Sequence, residues 1–524
     1  MMKDQGTSPN IVVIMCDQLR ADFTRAAGFP LDTMPFVDSL GDGGVRFERA
    51  YTPMPICAPA RVSLFTGRYP KAHRVRQNSA IPHLYKPAGA PDLVDLLRER
   101  GYSISLAGKN HSHLDPQAMD FASLYTHHGG GREATKSAPE RDMDAWLATL
   151  AQQRGSLSRE PTPFPLECQP PYRVVRDAME CVDTIGADGR PFFLWLSLAE
   201  PHNPYQVPEP YFGLFPEADV PDRAGEPDAL ERKSGPLGQK WRWERRLIEG
   251  IYPGYDAHWR RYRANYCGML RLLDDQIRRF VDHLRTRGVL ENTLLVFTAD
   301  HGDYAGDYGL QRKGVGLPEC LVRVPLIFTG PGVARGASLA PGTPSPTVSR
   351  TDQSDPDVRR TAHVSTVDVM PTLCEALGMA PPYGVQGRSL WPLLTGDEYS
   401  LQEFRSVYAE QGYGGLHYGE DERPPLHFPY DGPRFDELNT VTQSGTTKMV
   451  RQDRWKLTFD MLGNGELYDL ETDPAELHDL FDDPAHRAVR HHLTEALLTW
   501  TIRTEDDLPV AAYVPKRAPR NWYR

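Results

Sequence analysis

Short, unbroken apolar runs recur along the first three quarters of the chain, and each ends abruptly. Ile11-Val12-Val13-Ile14-Met15 gives way to Cys16-Asp17-Gln18, and Tyr102 to Leu106 runs up to Gly108-Lys109-Asn110-His111. Phe192 to Leu198 precedes Glu200-Pro201-His202, and Thr293 to Thr298 precedes Asp300-His301-Gly302-Asp303. Pro325 to Thr329 stops at Gly330-Pro331-Gly332. Runs of this length without alternation are the pattern of strands buried on both faces. Between them the period changes. Met269, Leu270, Leu273, Ile277, Phe280 and Val281 predict an amphipathic helix within Tyr266 to Leu284, and Pro91 to Arg100 reads as a helix closed by Gly101. Alternating strands and helices predict an α/β fold with a large, mostly parallel sheet flanked by helices. Ligands bind beyond the carboxyl ends of such strands. Four of the five runs carry Asp, Lys, His or Asp-His there. One such residue would pass for a solvated loop charge, whereas four on one edge predict a site.

After Leu394 the texture becomes that of a meander. Ser406 to Ala409, Thr447 to Val450, Trp455 to Phe459 and Glu466 to Leu470 predict short strands, followed by a helix from about Ala485 to Thr501. The chain therefore divides into an α/β part that carries the predicted site, 1–395, and a smaller C-terminal α+β unit with an antiparallel sheet, 396–524. Two inserts, 152–172 and 204–253, fit the sheet poorly. Their length suits lids or contacts within a homo-oligomer. The second holds Trp241-Arg242-Trp243-Glu244-Arg245-Arg246, which reads either as a stacking surface for a ligand or partner or as a solvated, snorkelling helix face. Ala337 to Val358 reads as an exposed loop. Substrate specificity is expected in the inserts, the C-terminal unit and the Gly412 to Asp436 segment.

Ile56 to Arg68 departs from both patterns and reads as a loop turning into a short helix. Pro53, Pro55 and Pro59 break regular structure before it or suit its first turn, Val62, Leu64 and Phe65 supply an apolar face, and Gly67 can stop it. Cys57 falls at the helix N-terminus, where free N–H groups favour an anion, and Arg61 adds positive charge one turn on. A cysteine is by default a small buried hydrophobe. The rest of the chain decides between that and a reactive group.

Charge narrows the partners. Among 524 residues, 59 basic against 70 acidic side chains leave −11, which argues against nucleic acid or an anionic membrane as the main partner. An anionic substrate must then be held by local positive groups. The seven cysteines are scattered, without CxxC pairs, which is neither a disulfide framework nor a structural zinc site. No apolar run approaches membrane-spanning length, and the polar first ten residues lack a signal-peptide core, so a cytoplasmic location is expected.

Asp17, Gln18, Asp300 and His301 make an oxygen-rich set with one nitrogen, which suits Ca²⁺, Mg²⁺ or Mn²⁺ better than a tetrahedral zinc site. Lys109, His111, His202 and Lys313 add positive charge and proton-transfer capacity.

Cys57-Ala58-Pro59-Ala60-Arg61, continuing through Leu64, Thr66, Gly67 and Arg68, resembles the C-x-P-x-R signature of the type I sulfatases of the alkaline phosphatase superfamily. Asp17-Gln18, Gly108-Lys109-Asn110-His111, Pro201-His202, Thr298 to Asp303, Lys313, Arg323-Val324-Pro325-Leu326 and Gly465 to Leu470 also look like the family, so the resemblance spans roughly residues 10 to 480. It implies the sulfatase fold and a small-molecule sulfate ester as substrate. It implies a formylglycine made from Cys57 by a formylglycine-generating enzyme, and one divalent metal, Ca²⁺ before Mn²⁺, on Asp17, Gln18, residue 57, Asp300 and His301. One hydroxyl of the hydrated aldehyde would attack sulfur, with charge stabilised by Arg61, Lys109 and Lys313. His202, with Lys313, would serve the leaving alkoxide, and His111 would deprotonate the second hydroxyl to expel sulfate.

Two pairs depart from the common pattern. Asp17-Gln18 and Asp300-His301 stand where many sulfatases have Asp-Asp and Asp-Asn. Gln18 and His301, with Asn78 as a substrate contact, resemble the phosphonate monoester hydrolase branch. Lys109 and His111 resemble the sulfate-binding pair. The expectation is therefore sulfate monoester hydrolysis with Asn78, Lys109, His202 and Lys313 on the substrate, and phosphonate monoester or phosphodiester hydrolysis as the alternative. A catalytically silent anion-binding protein of the same fold would not need the intact set of metal and proton-transfer residues.

Overall fold

The computed structural model describes residues 8–505 apart from 87–89, 152–155, 186–188, 227, 234, 252, 335–360, 398 and 416–440. Its main sheet is built from β1 (Asn10–Asp17), β2 (Val45–Phe47), β4 (Ser103–Gly108), β5 (Phe121–Thr126), β6 (Gly129–Gly130), β7 (Phe192–Pro201), β8 (Thr293–Ala299) and β9 (Leu326–Thr329), in the order β2-β9-β8-β1-β7-β4-β5-β6. A two-stranded ribbon pairs β3 (Arg49–Tyr51) with β10 (His363–Ser365). β8, β1, β7, β4 and β5 are parallel, as the apolar runs predict. The edges are not: β9 runs antiparallel to β8, and β2 to β9. A strand buried on both faces is apolar whichever way it points, so direction leaves no mark in the run.

Every residue of β1 is buried. Ile11, Val13 and Met15 pack on one face with Leu64, Phe65 and Trp195, and Val12, Ile14 and Cys16 on the other with Leu270, Leu273 and Ile277. At roughly 1.5–3 kcal/mol per buried aliphatic side chain, this content fixes β1 at the centre. It also drags Asp17 to 0% exposure, which is tolerable only with partners. The amphipathic helix is Trp259–Thr286, longer than its periodicity marks, and packs beside the helix Pro170–Ile185. The helix predicted over Pro91 to Arg100 is Leu93–Glu99, opened by an Asp92/Asp95 capping box. No helix among the described residues is long and apolar enough to cross a membrane.

The predicted meander is present as β11 (Ser406–Gly414), β12 (Gly445–Gln452), β13 (Trp455–Asp460) and β14 (Gly465–Asp469), each antiparallel to the next, with the helix Arg487–Glu505 against β12 and β13. Glu319 ties this sheet to the β3–β10 ribbon, accepting from Tyr51 Oη at 2.9 Å and Arg451 Nη1 at 2.6 Å, while Lys456 bridges Glu319 and Glu476.

One expectation is corrected. The insert 204–253 forms the helix Gly235–Ile251, and its Trp241 neither stacks on an open ligand surface nor snorkels in solvent. It is 3% exposed, edge-on to Tyr304 and Tyr308 with centroids 5.7 and 5.2 Å away, and Lys233 lies over its ring. Its partners come from the loop after β8, which no local pattern reveals. All of the expected 337–358 loop falls outside the described residues, as does the Gly412 to Asp436 specificity segment except for Gly412 to Gly415.

Candidate active site

Strand register assembles the site. β1 lies between β7 and β8 so that Asp17 stands opposite Pro201 and Cys16 opposite Ala299. Asp300 then falls beside the turn after β1, where the Gln18 N–H donates to Asp300 Oδ1 at 3.0 Å and Gln18 takes a left-handed φ of 70°.

Cys57 begins the helix Cys57–Thr66, every residue of which is buried. Phe65 packs edge-on to Trp195 at 4.6 Å, and Gly67 ends the helix at φ 63°, where a Cβ would lie 2.8 Å from Val385 Cγ1. Asn78 holds the other end: its Oδ1 accepts from the Ala58 N–H at 3.1 Å. Cys57 Sγ is thereby set 3.3 Å from His301 Nε2 and 3.7 Å from Asp17 Oδ1.

Arg61, fully buried, spans the floor. Its Nε donates to Asp300 Oδ2 at 2.8 Å, Nη2 to Asp17 Oδ2 at 3.3 Å, and Nη1 to the Lys109 carbonyl and Ser197 Oγ at 2.9 Å each. Lys109 Nζ donates to Asp17 and lies 3.3 Å from His127 Nε2. His202 donates through Nδ1 to the Asn203 carbonyl at 2.9 Å, and Lys313 Nζ donates to Gln18 Oε1 at 3.1 Å. His111 adopts φ 41° two residues after Lys109, and its charge is felt at His127. The structure thus brings Asp17, Gln18, Cys57, Arg61, Lys109, His202, Asp300, His301 and Lys313 together. Asn78 reaches them through the Ala58 backbone.

A cation fits the centre. One ligand atom each from Asp17, Cys57, Asp300 and His301 lie within 4.8 Å of one another. His301 Nδ1 sits 2.9 Å from the Gly302 carbonyl and so carries the proton, leaving the Nε2 lone pair 3.7 Å from Asp17 Oδ1 and 3.6 Å from Asp300 Oδ1. Acceptors converging on acceptors in a buried space call for a positive ion, and two carboxylates with one imidazole suit a hard divalent one.

The electrostatics are those of an anion pocket. Burial and Asp17 oppose a Cys57 thiolate, but the ammonium groups of Lys109 and Lys313 lead the charges that outweigh them and hold the thiol well below its usual range. Asp17 is pushed up by burial and, more strongly, down by Lys109, His202, Arg61 and Lys313. Burial, then His127 and Lys313, holds His202 well below an ordinary imidazole. Burial pushes Glu200 up to about 8.

Sequence reasoning missed three residues: His127, Tyr205 and Asp303. Asp303 lay within a quoted motif, so position was available though role was not. His127 follows β5, whose Phe-Ala-Ser-Leu-Tyr-Thr pattern is too mixed to announce a strand end.

A family model described as Sulfatase matches residues 9–379. The multifunctional alkaline phosphatase superfamily protein PehA of Trinickia caryophylli is 28% identical over 95% of this chain and 96% of its own length. An arylsulfatase of Clostridium perfringens is 26% identical over 94% of both chains. Among solved structures, the phosphonate monoester hydrolase of Agrobacterium radiobacter superposes with a TM-score of 0.72 at 25% identity, covering 95% of this chain and 96% of that one. With the sheet and the buried edge of the site in place, the match over most of its length shows that this chain belongs to the sulfatase family, within the alkaline phosphatase superfamily, and is a sulfuric ester hydrolase.

Proposed function

We propose that this enzyme hydrolyses a small-molecule sulfate monoester to an alcohol and sulfate, with residue 57, oxidised from cysteine to formylglycine, as nucleophile. The observation that carries the reading is the convergence of Cys57 with Asp17, Asp300 and His301 inside a ring of buried cations. Asp17, Gln18, Asp300 and His301 would hold a divalent ion, Ca²⁺ or Mn²⁺, which when bound supplies Lewis-acid polarisation. A hydrated aldehyde at residue 57 supplies one hydroxyl for attack and another for internal release of sulfate.

The chain's own residues do the rest. Arg61 keeps the Asp17 and Asp300 carboxylates in place. The ammonium groups of Lys109 and Lys313 bind the non-bridging oxygens and stabilise their charge as the ester bond breaks. His202, anchored through Nδ1, has Nε2 left to deliver a proton to the departing alkoxide, and the negative substrate favours its protonation. His111 takes the proton whose loss releases sulfate. Burial of the whole Cys57 helix excludes water.

Phosphonate monoester or phosphodiester hydrolysis is the second reading, supported by Gln18 and His301 and by likeness to the Agrobacterium enzyme. Lys109 with His111 favours sulfate. Parallel kcat/KM measurements on aryl sulfates, aryl phosphonate monoesters and phosphodiesters decide between them, and a much higher value for phosphonates reverses the ranking. Peptide mass spectrometry across Thr52 to Arg61 tests the aldehyde. A fully active enzyme with an unmodified Cys57 sinks it.

A further inference from the structure

Gln18 differs from the carboxylates around it in having two unlike ends, and only its oxygen can bind a cation. Which end faces the site must therefore be fixed. Gln18 Nε2 donates to Asp303 Oδ2 at 2.5 Å and to Tyr205 Oη at 3.0 Å, while Gln18 Oε1 accepts from Lys313 Nζ at 3.1 Å. Asp303 is itself held from behind. Its Oδ1 accepts from the Ala305 N–H at 2.7 Å and from Tyr262 Oη, and its Oδ2 accepts from Tyr205 Oη at 2.9 Å. Both tyrosines and Asp303 are buried. An ionised carboxylate only accepts and an ammonium only donates, so the two together admit one orientation of the amide.

We propose that Asp303 is a positioning residue that turns the Gln18 amide so that its oxygen, not its nitrogen, faces the metal site. The proposal rests on the reading of Gln18 as a metal ligand. It makes Asp303 the reason an amide can serve where a carboxylate, with two like oxygens, would need no such partner.

Asp303→Asn tests it with almost no change of shape. The Ala305 N–H and Tyr262 hydroxyl keep the oxygen of the substituted side chain at the Oδ1 position, so its NH₂ meets Gln18 Nε2 donor to donor. The Gln18 amide must then reverse and present NH₂ to the ion. Ca²⁺ and Mn²⁺ binding to metal-depleted full-length protein is measured by titration calorimetry and by the metal-induced rise in Tm. The expected result is wild-type binding, about 10–100-fold weaker binding by D303N, and recovery of most of the affinity by D303N/Q18E, in which a carboxylate at position 18 accepts from the amide at position 303 and still offers an oxygen. If D303N alone does not fold, the double variant is the test, since the proposal requires it to fold and bind. Equal affinity in wild type and D303N overturns the role of Asp303 alone, as does a D303N/Q18E protein that fails to recover. No binding of either ion by wild type overturns the metal reading and this inference with it.

Discussion

His127 lies flat on His202, ring centroids 3.7 Å apart and planes 7° from parallel, with the Lys109 ammonium at its edge. The stack fixes the ring proposed to serve the leaving group, and the charge of His127 helps keep His202 from taking a proton. His127→Phe preserves the flat neighbour and removes that charge. The His202 pKa then rises, so the limb of kcat/KM that needs protonated His202 extends to higher pH. His127→Ala, which also frees the ring to move, lowers kcat by about a hundredfold. A pH profile of H127F that overlays wild type refutes this account.

Arg61 is the counter-charge to two carboxylates, one ending β1 and one just past β8, at 0% exposure. Arg61→Ala strips Asp300 of its guanidinium and leaves Asp17 to Lys109, and costs about 3–5 kcal/mol of stability with a kcat loss of at least about a hundredfold. Arg61→Lys recovers stability better than activity, because an ammonium cannot fork to Asp17, Asp300 and Ser197 together. Thermal melts and initial rates on both variants check the split.

Acid should destabilise the fold before the carboxylates titrate. His73, His127, His202 and His363 are each held well below the ordinary imidazole value, by burial first. Unfolded, each binds a proton near pH 6.5; folded, each does so only at lower pH. Their contribution is therefore complete above about pH 6.5 and is lost as pH falls towards the folded values. Glu200, raised to about 8, has the opposite slope, its stability being lost as pH rises through that value. Tm of the metal-free protein is expected to fall below about pH 6.5, and Glu200→Gln to raise Tm more at pH 8 than at pH 6. A Tm flat from pH 7 to pH 5 contradicts the first part.

Gly108 sits at φ 116°, and a Cβ there would lie 1.8 Å from the Ser197 carbonyl, a backbone atom with nowhere to go. Gly108→Ala must push β4 from β7 and carry Lys109 out of the site, costing about 1–3 kcal/mol and most of kcat/KM. Gly101→Ala is the control. It shares the left-handed backbone, φ 80°, but meets nothing within 4 Å, so it costs about 1 kcal/mol and leaves turnover alone.

Legibility in the sequence followed the strength of local signal. β1, β4, β7 and β8 were legible because strands buried on both faces are apolar throughout, and their polar ends marked the site before any geometry. The Cys57 helix was legible from its prolines and Gly67. β2 and β3, three residues each, carry too little pattern to find. The inward packing of Trp241 depends on Tyr304 and Tyr308, and the roles of His127 and Asp303 depend on stacking and donor–acceptor matching across more than 70 residues. Such relations belong to the folded chain and have no local spelling.

The complete burial of Cys57–Thr66 also sets a clock. His301, which closes over Cys57, is made 244 residues later, and Asp300, which locks Arg61, 239 residues after that arginine. At synthesis rates of about 5–20 residues per second, Cys57 is exposed for tens of seconds before the chain can wall it in. An enzyme that oxidises this thiol must work within that interval or on a chain kept open. On the proposal that residue 57 becomes formylglycine, slowing or hastening translation between residues 57 and 301 would therefore change the fraction of molecules carrying the aldehyde.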